Sequence, residues 1–123
     1  MTTLAVIQNQ TRELSRPVRV VVCRDFASRL QGMMFRPGLA PDAGMLLVGR
    51  HDGRWGSAIH MFFVPLDLAI FWISSSMLVV DKVLARAWHP AYVPRHPAMY
   101  VLELKADQLA AYEIGDKVEI LDA

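Results

Sequence analysis

The sequence is divided into short apolar runs that end at glycine, at proline or at small polar residues. Runs rich in valine, isoleucine and aromatic residues, bounded in this way, are typical of β-strands. The runs that predict strands are Leu4 to Gln8, Val18 to Arg24, Met45 to Val48, Ser57 to Val64, Leu66 to Ile73, Met77 to Trp88, Met99 to Leu104 and Lys117 to Leu121. Most of them follow one another as hairpins do, without the regular strand-helix-strand order of a parallel sheet. We therefore expect a mainly β domain with an antiparallel, partly closed, barrel-like sheet of about seven strands.

Two segments predict short helices. Phe26, Leu30 and Met33 are spaced by four and three residues, so they share one face of a helix. Asp25 can cap the N-terminus of this helix with its carboxylate, and Gly32 suits the helix end. The second predicted helix is Ala106 to Glu113. Two further segments, Gly49 to Gly56 and His89 to Pro97, are predicted to be loops. Two short helices packed at the ends of the sheet place the expected fold at the margin of the α+β class.

Size and charge set limits on the organisation and on the partners. The chain has 123 residues, of which 54% are hydrophobic. A chain of this size buries about two thirds of its unfolded surface, so we expect one core and a single domain over residues 1–123. The net charge is +1, from 13 basic and 12 acidic residues. This balance lacks the basic surplus of nucleic-acid-binding domains, so no nucleic-acid partner is predicted.

The sequence also lacks the patterns of export and membrane insertion. Met1 to Gln10 has no positively charged segment before its short apolar run, so no signal peptide is predicted. The longest apolar stretch, Ile59 to Ile73, is interrupted by His60, Pro65 and Asp67 and is too short to span a bilayer. We expect a cytoplasmic protein with no membrane partner.

Metal-binding and nucleophilic motifs are missing from the sequence. The histidines are not paired at the spacing of about three to five residues that zinc sites favour, and Cys23 has no second cysteine to pair with. Cys23 follows a run of valines, where a thiol packs as a small hydrophobe. No phosphate loop, nucleophile elbow or dinucleotide-binding glycine pattern is present. We predict no metal and no cofactor, and the missing motifs favour a binding module over an enzyme.

Five features in fixed order resemble a known family. They are Val20-Val21-Val22 before a short helix, Gly32-Met33-Met34-Phe35-Arg36, Gly44-Met45-Leu46-Leu47, Pro65-Leu66-Asp67 before an apolar strand, and Tyr100-Val101-Leu102-Glu103-Leu104 before a helix and Gly115-Asp116. Over residues 18–120 the chain resembles domain-of-unknown-function family 192. The resemblance implies a compact, strand-rich domain with a small barrel-like sheet, and it implies no activity.

One segment departs from the family pattern. Many members carry an aromatic-Met-Lys-Asn-Thr run before the proline, whereas this chain reads Ala58-Ile59-His60-Met61-Phe62-Phe63 before Pro65. If that run shapes a binding surface in relatives, the corresponding surface here is more apolar.

The candidate ligand-binding residues lie in two places. Arg36 follows three apolar residues, so it can bind a carboxylate or phosphate at a cleft, or pair with a carboxylate of the chain itself. Trp88, Tyr92 and Arg95 lie in or beside the proline-rich loop, which suits a preorganised contact surface. The alternative for this loop is that it covers an open end of the barrel, with its aromatic side chains packed inward.

Three functional hypotheses follow. The leading one is a non-catalytic module that binds a small molecule or a protein. The alternative is a small enzyme that uses Asp67 or His60 as base and Arg36 as anion clamp. Against catalysis, Asp67 beside a proline is typical of an aspartate that accepts backbone N–H bonds, and His60 among apolar neighbours is typical of a hydrogen-bonded, half-buried histidine. The third hypothesis is a homo-oligomer that buries the apolar face around Ile59 to Phe63.

Overall fold

The computed structural model describes residues 3–12, 16–35, 38–40 and 42–122, and they form one seven-stranded sheet with two short helical segments. The elements are β1 (Thr3–Asn9), β2 (Val18–Cys23), α1 (Phe26–Gln31), β3 (Ala43–Gly53), β4 (Leu68–Ile73), β5 (Val79–Ala85), β6 (Ala98–Lys105), a 3₁₀ helix (Ala106–Ala111) and β7 (Val118–Asp122). The predicted mainly β fold with two short helices is confirmed. In the described ranges, no helix is both long and apolar enough to cross a bilayer.

The strands are ordered β5-β4-β6-β3-β2-β1-β7. The pairs are antiparallel except for β2 and β3, which are parallel because the chain passes through α1 between them. The sheet curls until its two edges meet at one end, where Leu78 bridges Lys117 and the Val79 N–H donates to the Asp116 carbonyl oxygen at 2.9 Å. The sheet is therefore mostly antiparallel and closes into a half-barrel, as predicted.

Strand β4 is buried on both faces and separates two cores. Because side chains alternate along a strand, Ala69, Phe71 and Ile73 enter the core inside the half-barrel, and Leu68, Ile70 and Trp72 enter the core on its outer face. The buried side chains of the neighbouring strands are likewise divided between the two cores. The apolar side chains on the outer face must therefore be shielded from water by other segments of the chain.

That cover is provided by α1 and by the segments 54–67 and 86–97. Met61, fully buried, packs on the outer face, and its N–H donates to the His89 carbonyl oxygen at 2.9 Å. The prediction of a strand over Ser57 to Val64 is wrong, because this segment lies over the face of the sheet, where its one strand-like pairing is a bridge between Ile59 and Tyr92. Ile59 and Met61 are buried while Phe62 is exposed, and this alternation reflects packing on a sheet rather than pairing within one.

Two other boundaries differ from the prediction. Strand β3 continues through Gly53 into the predicted loop, because its end pairs with β6 across an irregular register between Val48 and Gly53. Strand β5 covers only Val79–Ala85 of the run from Met77 to Trp88. The backbone of Trp88 is left-handed (φ 66°), which lies outside the β region of backbone conformations.

Candidate ligand-binding site

A cavity of about 360 Å³ lies between α1, the segment that follows β3, and the outer face of β3 and β6. Its inner wall is apolar and includes Met33, Leu47, Ile59, Met61 and Val101. The volume lies at the lower end of the range typical of small-molecule sites. The outer face of the sheet therefore carries a concave, mostly apolar chamber.

Glu103 lines this chamber from the middle of β6. Its cross-strand neighbours are Met45 on β3 and Ile70 on β4, so both flanks of the carboxyl are apolar. The residue is 4% exposed, and in the described part of the chain its Oε1 has no hydrogen-bond partner. This burial raises the pKa of Glu103 to about 7, because removal from water penalises the charged form.

Gly32 covers the carboxyl from the end of α1. The helix begins with the Asp25 carboxylate accepting the Ser28 N–H at 2.7 Å, and it ends with the Gly32 N–H donating to the Ser28 carbonyl oxygen at 3.0 Å. Gly32 has φ +44°, and a Cβ on it would lie 3.3 Å from Oε1 of Glu103. The segment Gly32-Met33-Met34-Phe35-Arg36 therefore places its glycine directly against the buried glutamate.

The residues that follow Gly32 in that segment include one that packs in the core and one on the surface. Met33 is buried in the outer core, whereas Phe35 is 68% exposed and donates its N–H to the Phe63 carbonyl oxygen at 2.7 Å. Arg36, the predicted anion clamp, lies outside the described residues.

Asp67 is bound to the chain itself. Its carboxylate accepts the Ala87 N–H at 2.8 Å and the Arg86 guanidinium at 3.1 Å. The hydrogen bond from Ala87, aided by Arg86, lowers the pKa of Asp67 despite some desolvation. Asp67 is not among the described residues that line the cavity. The structure therefore gives it a contact that orders the start of segment 86–97, and its predicted catalytic role stays a prediction.

His60 does line the cavity, and both of its ring nitrogens are engaged. Nε2 lies 2.8 Å from the Leu30 carbonyl oxygen, which can only accept, so Nε2 donates. Nδ1 accepts the Phe62 N–H at 3.2 Å. The bond to Leu30 ties α1 to segment 54–67, the bond from Phe62 lies within that segment, and action as a base would require one of them to break.

The three residues predicted around the proline-rich loop have separate contacts. The Arg95 guanidinium and N–H bind Asp81, with the shortest distance 2.7 Å from Nη2 to Oδ1. The Tyr92 hydroxyl accepts the Arg86 N–H at 2.9 Å. Trp88 is 54% exposed. None of the three is among the described lining residues of the Glu103 cavity, and their ligand-binding role stays a prediction.

Trp88 belongs instead to an exposed aromatic cluster, formed by Phe35, Phe63 and Trp88. The Phe63 ring lies 5.3 Å from each of the other two rings, measured between centroids. All three residues have left-handed backbones, with φ of 64°, 60° and 66°. Such conformations are uncommon for bulky residues, so surrounding bonds must hold them. The cluster is a fixed apolar surface beside the cavity.

Within the described ranges, no group of three or more histidine, cysteine, aspartate or glutamate side chains is arranged to hold a metal ion. Glu103, the most notable polar residue of the site, was not selected from the sequence. The available signal was a single acidic residue inside an apolar strand run, Val101-Leu102-Glu103-Leu104. The sequence does not show that both neighbouring strands oppose it with apolar side chains, so that no described residue bonds its Oε1.

The family follows from comparison with known proteins. A sequence model of domain-of-unknown-function family 192, described as an uncharacterized ACR, matches residues 6–120. The chain belongs to this family. Among family relatives, the UPF0127 protein of Thermococcus sibiricus is 32% identical, over 90% of this chain and 71% of the relative. The UPF0127 protein of Pyrococcus horikoshii is 27% identical, over 93% of this chain and 97% of the relative.

Crystal structures from two bacteria share the fold. A protein of unknown function from Novosphingobium aromaticivorans superposes with a TM-score of 0.83 at 20% identity, covering 96% of this chain and 84% of that one. A protein from Sinorhizobium meliloti, described as a candidate transcription regulator, also gives 0.83 at 23% identity, covering 98% and 94%. At these identities the likeness concerns the fold alone. The family is uncharacterised, and its relatives bring no activity to this chain.

Proposed function

We propose that the protein is a non-catalytic module that binds a small, largely apolar molecule in the Glu103 cavity. One observation carries the proposal: Glu103, a residue that is 4% exposed, lines a chamber of about 360 Å³, and its Oε1 has no partner in the described part of the chain. Burial of an unpaired carboxylate costs roughly several kcal/mol, so such groups are concentrated at functional sites. A ligand that satisfies the carboxyl recovers part of that cost on binding.

The contacts of the other candidates support binding over catalysis. Asp67 and His60, the two predicted bases, are each held by backbone hydrogen bonds. If the protein is a small enzyme, Glu103 is the best candidate for its general acid or base, because a carboxyl with a pKa of about 7 suits this chemistry. Turnover of a bound molecule that disappears in a folded Glu103→Gln variant would favour that alternative.

Fragment binding monitored by NMR tests the proposal. We expect small aromatic and aliphatic fragments to shift amide signals of α1, β6 and segment 54–67. The variant Ala58→Trp, which adds bulk at the cavity lining, should weaken these shifts. Asp67→Asn, which removes a carboxylate outside the cavity, should leave them unchanged. Shifts that are scattered over the surface, or equal in Ala58→Trp and wild type, would contradict cavity binding.

A second copy of the chain is the partner that the aromatic cluster favours. Phe35, Phe63 and Trp88 are 68%, 47% and 54% exposed. Contiguous exposed apolar groups of this kind mark contact surfaces. Phe63 belongs to the segment Ile59 to Phe63, for which the sequence predicts self-association. Ile59 and Met61 of that segment are buried in the outer core, so only Phe62 and Phe63 remain exposed for a partner. A monomer at every concentration in sedimentation experiments would contradict it.

A net charge of +1 supports a function without nucleic acid. We also propose a cytoplasmic location, as the sequence predicts.

A further inference from the structure

Glu103 differs from the other buried carboxylates in the described part of the chain. Asp81 is bound by the Arg95 guanidinium at 2.7 Å, and Asp116 by Arg12 at 2.9 Å. Each also accepts backbone N–H groups, from Arg95 and Lys82 for Asp81 and from Glu113 for Asp116. Glu103 is at least as buried as either of them.

The chain thus provides Asp81 and Asp116 with an arginine side chain and with backbone N–H donors. No described residue provides the Oε1 atom of Glu103 with either kind of donor. From this contrast, and resting on the proposed cavity function, we propose that the ligand is a hydrophobic organic cation. Its ammonium or amidinium group donates N–H bonds to the Glu103 carboxylate, and its apolar body fills the cavity. The cation then takes the place that arginine has at Asp81 and Asp116. Charge-assisted bonds of this kind are about twice as strong as neutral ones.

The lining of the cavity suits such a molecule. Phe26 and Trp55 line it and are 72% and 77% exposed, so their rings are available to an organic cation. Met33 and Met61 contribute polarisable thioethers deeper in the wall. A volume of about 360 Å³ fits one ring or a short aliphatic chain with its charged head.

The charged and titratable groups on the surrounding elements are few. Arg29 on α1 and His60 on segment 54–67 line the same cavity, while β3 and β4 oppose Glu103 with Met45 and Ile70. Arg29 is half-buried and bonds back to the Asp25 carbonyl oxygen at 3.4 Å. A pH effect on binding is therefore assigned to Glu103 only if Glu103→Gln removes it, because His60 also faces the cavity.

Three probes of similar shape and different charge test the inference. They are benzylamine, benzyl alcohol and benzoate, titrated into the folded chain and followed by NMR at pH 6 and pH 8. With a carboxyl pKa of about 7, affinity for benzylammonium should rise about tenfold from pH 6 to pH 8, as Glu103 loses its proton. At pH 8, benzylammonium should bind at least about tenfold more tightly than benzyl alcohol, and Glu103→Gln should remove this preference.

A second readout needs no variant. Binding of benzylammonium to the wild-type chain at pH 6 should release close to one proton, measured by calorimetry in buffers of different ionisation enthalpy. Equal or tighter binding of benzyl alcohol or benzoate, or an affinity for benzylamine that does not rise with pH, would overturn the cation while leaving a ligand-binding cavity. If no probe binds and Ala58→Trp changes nothing, both the cation and the proposed function are overturned.

Discussion

Gly32 faces Glu103 from the end of α1: a Cβ on Gly32 would lie 3.3 Å from Oε1 of Glu103. The glycine has φ +44° and is buried, so it meets two requirements at once. It accepts a backbone conformation that L side chains rarely adopt, and it leaves room for the carboxyl beneath it.

Substitution of this glycine should destabilise the protein. Gly32→Ala is expected to lower the free energy of unfolding by about 1–3 kcal/mol, because the alanine is strained at positive φ and crowds Oε1. Urea denaturation measures the change. Gly38→Ala is the matched control, since no heavy atom lies within 4 Å of its added Cβ. Similar effects at the two glycines would show that the Glu103 contact is not the cause.

The stability of the protein should depend on the protonation of Glu103. Its folded pKa of about 7 exceeds the ordinary value of 4.5, so the folded state holds the proton more tightly. Between these values the folded state binds more protons than the unfolded state. Stability from this group is therefore present below pH 4.5, falls as pH rises to 7 and is level above that.

The variant Glu103→Gln removes this dependence. Its stability relative to wild type should increase from pH 5 to pH 8 by up to about 3 kcal/mol, in denaturation curves recorded at each pH. Asp67→Asn removes a carboxylate of lowered pKa and should show no such increase. A constant difference between Glu103→Gln and wild type across this range would contradict a buried carboxyl with a raised pKa.

The Asp81–Arg95 pair should show the opposite dependence on pH. Burial alone raises the pKa of Asp81, but the hydrogen bonds from Arg95 and from the Lys82 N–H outweigh it and leave the pKa lowered. Stability from the ionised Asp81 is thus present above its ordinary pKa of 3.8 and lost as pH falls below it. Asp81→Asn should cost about 1–3 kcal/mol at pH 7 and progressively less towards pH 3.

An exposed pair provides the control for that measurement. Asp107 is 63% exposed and lies 3.9 Å from Lys105, so Asp107→Asn should change stability little at any pH. If Asp81→Asn costs as little as Asp107→Asn at pH 7, the Asp81–Arg95 pair does not hold segment 86–97 on the sheet.

Self-association through the aromatic cluster can be tested without disturbing the cavity. Phe63→Asn and Trp88→Asn should weaken any dimer at least about tenfold, because they remove exposed rings while asparagine tolerates the left-handed backbone. Sedimentation velocity over a concentration series measures this. Ile114→Asn, an apolar residue that is 50% exposed outside the cluster, should have no effect. A dimer that survives both cluster variants would require another interface.

Much of the fold could be predicted from the sequence because it depends on patterns formed by residues that are close together in the chain. The β-branched run of β2, the Asp25 cap and the helix end at Gly32 depend on residues close to one another in the chain, so their signals survive without tertiary context. Where the signal was ambiguous, the prediction was wrong: Ile59 and Met61 alternate as in a strand, yet they pack over a sheet whose central strands already have partners on both sides.

The sequence by itself determined a strand-rich domain, its hairpins and the family to which it belongs. Only the tertiary structure decided the candidate site. Glu103 reads as one acidic residue in a strand until Met45, Ile70 and Gly32 surround it. The physical reason is that the pKa of a carboxyl and its need for a partner depend on what replaces water around it, and these neighbours come from strands and a helix distant in the chain.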